Sequence, residues 1–276
     1  MTGCSRPTIA TLAIVATTVC WGTFSHAQAD TLRIGGTGSA TVLMQRLAAA
    51  FEAGEADTTV EVIPGLGSSG SIAAVHDGVI DLAVSARPLK SNEQGLIAVV
   101  AVRTPYGLVS SNPEPGNISK ADVASFYAEP KATWPDGTPV RVILRPRSES
   151  DTTLLGDTFP RMRAAIDKVR TRIDVPIAAT DQENLEMAVT IKGSLVGTSL
   201  TQMVTENYQP QLRFLTIDGA EPTLENLETG TYPYSKPYRF VYADQSTPLV
   251  QRFIEFIESS EGESLLRTAG SLPAAQ

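Results

Sequence analysis

Hydrophobic and polar positions follow a strand–helix–strand pattern in the first third of the chain. An alternating β-branched run at residues 60–63 predicts one strand, and the apolar run at 80–84 predicts the next. Between them, the Gly/Ser loop at 65–71 leads into a short apolar helix. Such a helix start presents unpaired backbone N–H groups and the positive end of the helix dipole, so we predict that a small anion binds near Ser68 and Ser69.

The same order of strand, Gly/Ser loop and helix also occurs once before. A short strand is predicted at residues 31–34, and apolar residues recur at helical spacing from the following loop to Gly54. Ser39 lies where a helix cap is expected, and capping alone would explain a lone serine. Two such loops in tandem favour ligand binding instead.

A third polar loop follows the strand predicted at residues 140–144 and precedes a predicted helix. In this loop Arg145 can offer a planar guanidinium to an oxyanion, and Ser150 and Thr152 can add hydroxyl groups. The alternative is a solvated cluster of surface ion pairs. That cluster would consist of Arg145, Arg147, Glu149 and Asp151.

The remaining pattern predicts further alternation of helices and strands. A polar turn and a helix are expected from Ser91, and a helix is expected over residues 119–127. Proline, glycine and asparagine turns around 112–117 indicate a crossing into another domain. An apolar stripe over 249–258 predicts a C-terminal helix that packs in a core.

Two nucleotide-binding motifs are alternatives for the Gly/Ser loop at 65–71. Gly65, Gly67 and Gly70 match the G-x-G-x-x-G order of dinucleotide sites. The predicted helix is short, however, and the next strand ends at Arg87 rather than at an acidic residue. A P-loop is excluded because Ser71 stands at the lysine position.

Residues 1–29 have the pattern of a secretory signal peptide. A single charge, Arg6, precedes an apolar run at 9–19, and Ala27-Gln28-Ala29 provides the small-x-small cleavage pattern. We expect cleavage near Ala29 and export. The run is shorter than the roughly 20 residues of a membrane anchor, and a lipoprotein site at Cys20 would lack the usual preceding residues.

The composition of the chain that remains after cleavage argues against several classes of function. Both cysteines lie in the leader, and His76 is the one histidine beyond it, which argues against a metal site and against nucleophilic catalysis. The remaining 21 basic and 30 acidic residues give a net charge of −9. This charge disfavours nucleic acid and anionic membranes as partners, but local donors can still bind a small anion. We therefore expect a binding protein rather than an enzyme.

The order of these motifs resembles the phosphate-binding substrate-binding proteins of ABC transporters. The resemblance is carried by residues 36–39, 67–70, 81–89 and the loop from Arg145 to Thr152. Further matches occur at residues 192–200 and 217–233, so the resemblance extends over essentially the whole chain after the leader.

The resemblance implies an α/β fold of the type II periplasmic binding protein class. Two α/β lobes would be joined by a two-strand hinge and would close on an anion in the cleft between them. The expected boundaries are 30–105 for the first part of lobe 1, 106–200 for lobe 2, and 201–276 for the return through the hinge and the completion of lobe 1. The resemblance further implies a monomer that works with ABC transporter permease subunits and needs neither a cofactor nor a metal.

The ligand positions of the family fall on residues of all three loops. The expected ligand-binding residues are Ser39, Ala40, Ser68, Ser69, Arg87, Arg145, Ser150, Asp151 and Thr152. Two departures from the family pattern bear on the ligand: Ala86 replaces an aspartate that accepts the proton of phosphate, and Asp151 replaces a glycine. Asp151 either points inward as a substitute acceptor, or it points outward and discrimination is poor.

Phosphate is the favoured ligand. Sulfate, molybdate, tungstate or a small phosphorylated or carboxylated solute are the alternatives, as is a ligand sensor without a transport role.

Overall fold

The computed structural model describes residues 1–3 and 30–274. The predicted signal peptide, including Cys20 and the cleavage site at Ala29, thus lies almost wholly outside the described residues. In the described part, no helix combines the length and the apolar character needed to cross a membrane.

Strands and helices are interspersed along the described chain. The strands are β1 (Asp30–Gly36), β2 (Thr58–Ile63), β3 (Leu82–Ser85), β4 (Leu96–Ser110), β5 (Asn117–Ile118), β6 (Arg141–Val142), β7 (Ser194–Ser199), β8 (Arg213–Phe214), β9 (Thr216–Ile217), β10 (Ser235–Ala243) and β11 (Leu272–Pro273). The helices are α1 (Thr41–Gly54), α2 (Gly67–His76), α3 (Val123–Ala128), α4 (Ser150–Thr158), α5 (Met162–Arg170), α6 (Asp181–Thr190), α7 (Leu200–Thr205), α8 (Leu224–Glu228), α9 (Pro248–Glu258) and α10 (Ser260–Thr268). A 3-10 turn, Gly38–Ala40, precedes α1.

The main sheet has the strand order β2-β1-β3-β10-β4-β7-β6, with β8 and β11 also paired to β4. Strand β1 is parallel to β2 and β3, whereas β10 runs antiparallel to β3 and β4. Strands β5 and β9 form a separate parallel pair. The βαβ unit predicted from the hydrophobic pattern is confirmed as β2, α2 and β3.

The helix predicted from Ser91 is wrong. The chain instead makes a turn in which the Glu93 N–H donates to the Lys90 carbonyl over 3.0 Å. The Glu93 carboxylate in turn accepts from the Lys90 N–H at 2.7 Å and from Arg87. These contacts use the backbone groups that a helix would need, and the chain then enters β4.

Two apolar cores lie on either side of the middle of β4. The first is built around residues such as Leu32, Phe51 and Phe253, and the second around Trp134 and Leu155. The predicted C-terminal helix is confirmed as α9, which packs in the first core with its Phe253 ring 5.2 Å from the Phe51 ring. We call the parts of the chain around these cores the first and the second lobe.

Two segments of chain cross between the lobes side by side. Strand β4 pairs with β10 as far as Pro105 and with β7 from Tyr106 onward. The chain returns at Ser235, where β10 begins. At the crossing, the Tyr106 N–H donates to the Tyr234 carbonyl over 3.0 Å.

The return lies later in the chain than residue 201, where we predicted it from the sequence. Leu215, Ile217 and Tyr232 are buried in the second core, and β8 pairs with the end of β4. We therefore assign the chain up to Tyr234 to the second lobe.

Candidate anion-binding site

The first predicted loop is held against its neighbouring strand by a close backbone approach. A Cβ atom at Gly36 would lie 2.4 Å from the Val84 carbonyl oxygen, and the Thr37 N–H donates to that oxygen over 2.8 Å. The 3-10 turn that follows buries Ser39. Its Ala40 N–H donates to the Thr37 carbonyl at 3.0 Å, so the amide that was expected to bind ligand closes the turn instead.

The N–H of Ser39 meets a carboxylate from the second lobe. Oδ2 of Asp181, the first residue of α6, accepts from the Ser39 N–H at 2.9 Å and from the Thr37 hydroxyl at 3.3 Å. Its Oδ1 accepts from the Arg145 guanidinium at 3.3 Å. Donors from both lobes thus converge on one buried carboxylate, which was not among the predicted site residues.

Arg145 is buried, with 8% of its surface exposed, and its guanidinium is held from several sides. Nη1 donates to the Ala178 carbonyl at 2.7 Å, and Nη2 lies 3.5 Å from the Glu149 carboxylate as well as near Asp181. By contrast, Arg147 pairs with Asp167 on the surface. The solvated cluster considered as an alternative therefore does not describe Arg145.

Asp151 points inward, which is one of the two orientations considered from the sequence. Its Oδ1 lies 2.5 Å from Nζ of Lys236, whose side chain is fully buried. Lys236 is the second residue of β10 and so lies directly after the crossing. Lys236 thus occupies Oδ1 of Asp151. Only the other carboxylate oxygen could serve as the predicted acceptor for a proton of the solute.

Electrostatics keeps Asp181 and Lys236 ionised, whereas burial raises the pKa of Asp151. Burial raises the pKa of Asp181, but the charges of Lys236 and Arg145 outweigh that effect and hold the pKa below its ordinary value. Burial alone would lower the pKa of Lys236, and the carboxylates of Asp151 and Asp181 more than reverse this. The ammonium and the Asp181 carboxylate therefore both carry charge at neutral pH.

The second and third predicted loops also meet. The Ser68 hydroxyl accepts from the Ala86 N–H at 3.0 Å and lies 3.3 Å from the Ser150 hydroxyl. Ser68 stands in the first turn of α2 and Ser150 is the first residue of α4. The structure thus brings helix starts from the two lobes face to face.

Arg87 and Ser69 do not join this group. The Arg87 guanidinium forms two hydrogen bonds to the Glu93 carboxylate, at 2.6 and 2.9 Å, and its Nε donates to the Ser69 hydroxyl at 3.1 Å. The hydrogen bond from Arg87 lowers the pKa of Glu93. The positive charge of Arg87, which was predicted to contact the ligand, is therefore neutralised by Glu93, six residues later in the chain.

Thr152 shapes its loop through the backbone. Its hydroxyl donates to the Pro146 carbonyl at 2.8 Å and lies 3.2 Å from the carbonyl of Arg145. This arrangement fixes the turn that carries Arg145 rather than directing the hydroxyl toward a solute.

The family of the chain follows from a match over most of its length. A family described as a PBP (periplasmic binding protein) superfamily domain matches residues 22–261. The chain belongs to the PBP superfamily. Among curated proteins, none matches the sequence significantly.

Several solved structures share the fold. A putative phosphate ABC transporter substrate-binding protein with bound phosphate from Clostridium perfringens has 20% identity and a TM-score of 0.75, covering 89% of this chain and 100% of its own. An ABC-type phosphate transport receptor from Vibrio cholerae has 19% identity and a TM-score of 0.60, with 87% and 99% covered. A reduced form of OxyR from N. meningitidis has 11% identity and a TM-score of 0.61, with 89% and 99% covered. The expected type II periplasmic binding protein fold is thereby confirmed.

Within this PBP fold, two site residues could not be read from the sequence. Asp181 belongs to an ordinary helix start, in which the Thr180 side chain accepts from the Glu183 N–H at 3.0 Å. Lys236 lies in a strand without any local motif. Among the described residues, no group of three or more His, Cys, Asp or Glu side chains is placed to hold a metal ion.

Proposed function

We propose that the protein is an exported solute-binding protein that captures a small tetrahedral oxyanion, phosphate first, and delivers it to the permease of an ABC transporter. Residues 1–29 would direct it to the periplasm, with cleavage near Ala29, and it would act as a monomer without a cofactor. The phosphate transport proteins with the same fold support this proposal.

One observation carries the proposal. The Ser39 N–H, the Thr37 hydroxyl and the Arg145 guanidinium already surround two oxygens of a buried anion, the Asp181 carboxylate. Donors that accommodate one oxyanion in a dry site can accommodate another, because each can direct a proton toward the bound oxygen.

Two other classes of function are less well supported. The regulatory domain of OxyR2 from Vibrio vulnificus has the same fold, so a ligand sensor is the second candidate. The leader-like residues 1–29, however, favour a protein outside the cytoplasm. Catalysis would require a nucleophile with a base or a metal site, and the lone histidine of the described chain, His76, is exposed and beside Asp77. We therefore propose binding without turnover.

Calorimetry of the mature chain with phosphate, sulfate, arsenate, molybdate and tungstate tests the proposal. We expect one site per chain and the highest affinity for phosphate. Equal affinities for phosphate and sulfate would argue against phosphate as the physiological solute. If none of these anions binds, the oxyanion proposal is wrong.

A further inference from the structure

The start of α6 forms a two-point contact with the backbone of the first loop. Asp181 accepts the Ser39 N–H, while the neighbouring Gln182 donates from Nε2 to the Gly38 carbonyl at 3.0 Å. The Asp181 side chain therefore accepts a hydrogen bond from the 3-10 turn, and the Gln182 side chain donates one to it. This pairing matches the contacts that a bound solute with one acceptor and one donor would make.

The fit of Asp181 to the turn is close as well as polar. A Cβ atom at Gly38 would lie 2.8 Å from Oδ2 of Asp181, so the carboxylate rests directly on the glycine backbone. Asp181 is itself buried. Its carboxylate occupies the ends of the Ser39, Thr37 and Arg145 donors, which leaves no room for a second oxyanion at the same donors.

Charge balance leads to the same conclusion. The buried cations of the cluster are Arg145 and Lys236. They face the buried carboxylates of Asp181 and Asp151, and the partly exposed Glu149 carboxylate also lies 3.5 Å from Arg145. A further anion added to this set would face two carboxylates in a poorly screened interior. If Asp181 leaves, the set loses one negative charge, so Arg145 is paired less fully and an incoming anion is repelled less.

We infer that Asp181 is an internal competitor for the solute: its carboxylate holds the anion-binding donors, and a solute binds only by displacing it. This inference rests on the proposed function. Asp181 would set a threshold of affinity, so that an anion with few or weakly basic oxygens fails to displace it whereas an anion that engages all three donors succeeds. It is thus a residue that determines specificity without contacting the solute.

Phosphate titrations of mature wild type, Asp181→Ala and Asp174→Ala test the inference by calorimetry. Asp174 is a matched control because it is an acidic residue of the second lobe that pairs with Arg172 and is 57% exposed. We expect Asp181→Ala to bind phosphate at least about tenfold more tightly than wild type, and Asp174→Ala to stay within about twofold. Equal or weaker binding by Asp181→Ala overturns the inference.

Asp181→Asn guards against misfolding of the alanine variant, because it keeps the shape of the side chain and removes its charge. We expect it to bind phosphate more tightly than wild type, by a smaller factor than the alanine variant. The exchange rate of the Ser39 amide proton, measured without added phosphate, adds an independent reading. It should rise at least about tenfold in Asp181→Ala, because the hydrogen bond that protects it is lost, and an unchanged rate overturns the inference.

Failure of the inference differs from failure of the proposed function. Binding of phosphate by wild type with no gain in Asp181→Ala overturns internal competition alone. If neither chain binds phosphate, sulfate or molybdate, the proposed oxyanion function is wrong and the competition falls with it. Binding that appears only in Asp181→Ala supports the competition, but it overturns the proposed function, because wild type then binds none of the anions.

Discussion

Lys236 and Asp151 form an ion pair of 2.5 Å that joins the beginning of β10 to the start of α4, and both side chains are buried. This pair connects the return segment of the chain to the third predicted loop. A buried charge that loses its partner is costly, so the two residues depend on each other.

Replacement of Lys236 by methionine should therefore lower the free energy of unfolding by about 3–5 kcal/mol, because it strands a buried carboxylate. Urea unfolding of the mature chain measures the change. The control is Arg147→Ala, whose pair with Asp167 is largely exposed and should contribute less than about 1 kcal/mol. Losses of equal size in the two variants would contradict the assigned role of Lys236.

Two arginines that look alike in the sequence should behave differently toward phosphate. Arg145→Met removes a buried donor of the site and should weaken phosphate binding on the order of 100-fold, which corresponds to about 2.8 kcal/mol. Arg87→Met should leave the affinity within about twofold, because Glu93 already engages that guanidinium. Calorimetry measures the phosphate affinity of both variants. A large loss of affinity in Arg87→Met would mean that Arg87 leaves Glu93 to contact the solute.

Two glycines of the predicted loops should respond oppositely to alanine. Gly36→Ala places a methyl group 2.4 Å from the Val84 carbonyl, so β1 must shift, and we expect a loss of about 1–3 kcal/mol in unfolding free energy. Gly70 lies inside α2, and a Cβ atom there meets its nearest neighbour, Leu66, at 3.8 Å. Gly70→Ala should be neutral or stabilise by up to about 1 kcal/mol. Urea unfolding of both variants tests the pair, and a tolerated Gly36→Ala would contradict the close strand approach.

The pH dependence of stability should report on Asp181. Its pKa is lowered in the folded chain, so its ionised form stabilises the fold above the unfolded value of about 3.9, and this stabilisation disappears as the pH falls through the folded value. The variant Asp181→Asn lacks this stabilisation because its side chain carries no charge. The stability difference between wild type and Asp181→Asn should thus be largest near neutral pH and shrink below about pH 4.

Urea unfolding of both chains from neutral to acidic pH measures that difference. Burial raises the pKa of Glu149, Asp151 and Glu206, and these shifts act in the opposite direction. All three groups are present in wild type and variant, and burial, the largest cause of each shift, is common to both chains; the smaller contribution from the Asp181 charge is absent in the variant. A difference that stays constant with pH would contradict the ionised state assigned to Asp181.

Local patterns predicted the elements of the fold and the loops of the site, because strand ends, glycine turns and helix starts are determined by neighbouring residues. The same patterns could not reveal Asp181 as the partner of Ser39, which lies 142 positions earlier, or Lys236 as the partner of Asp151. Such pairs arise from the packing of the two lobes. The Arg87 prediction remains untested by binding, but its contact with Glu93 depends on a turn that the sequence pattern misassigned as a helix.

The hydrogen bond from Tyr106 to Tyr234 has a mechanical consequence. It ties the two crossing segments into a narrow ribbon, which can flex out of its own plane while its hydrogen bonds resist sliding of one segment past the other. We therefore expect any separation of the lobes to proceed by bending of this ribbon. Such bending would carry Asp181 away from Ser39, whereas Lys236, which lies next to the crossing, would move least.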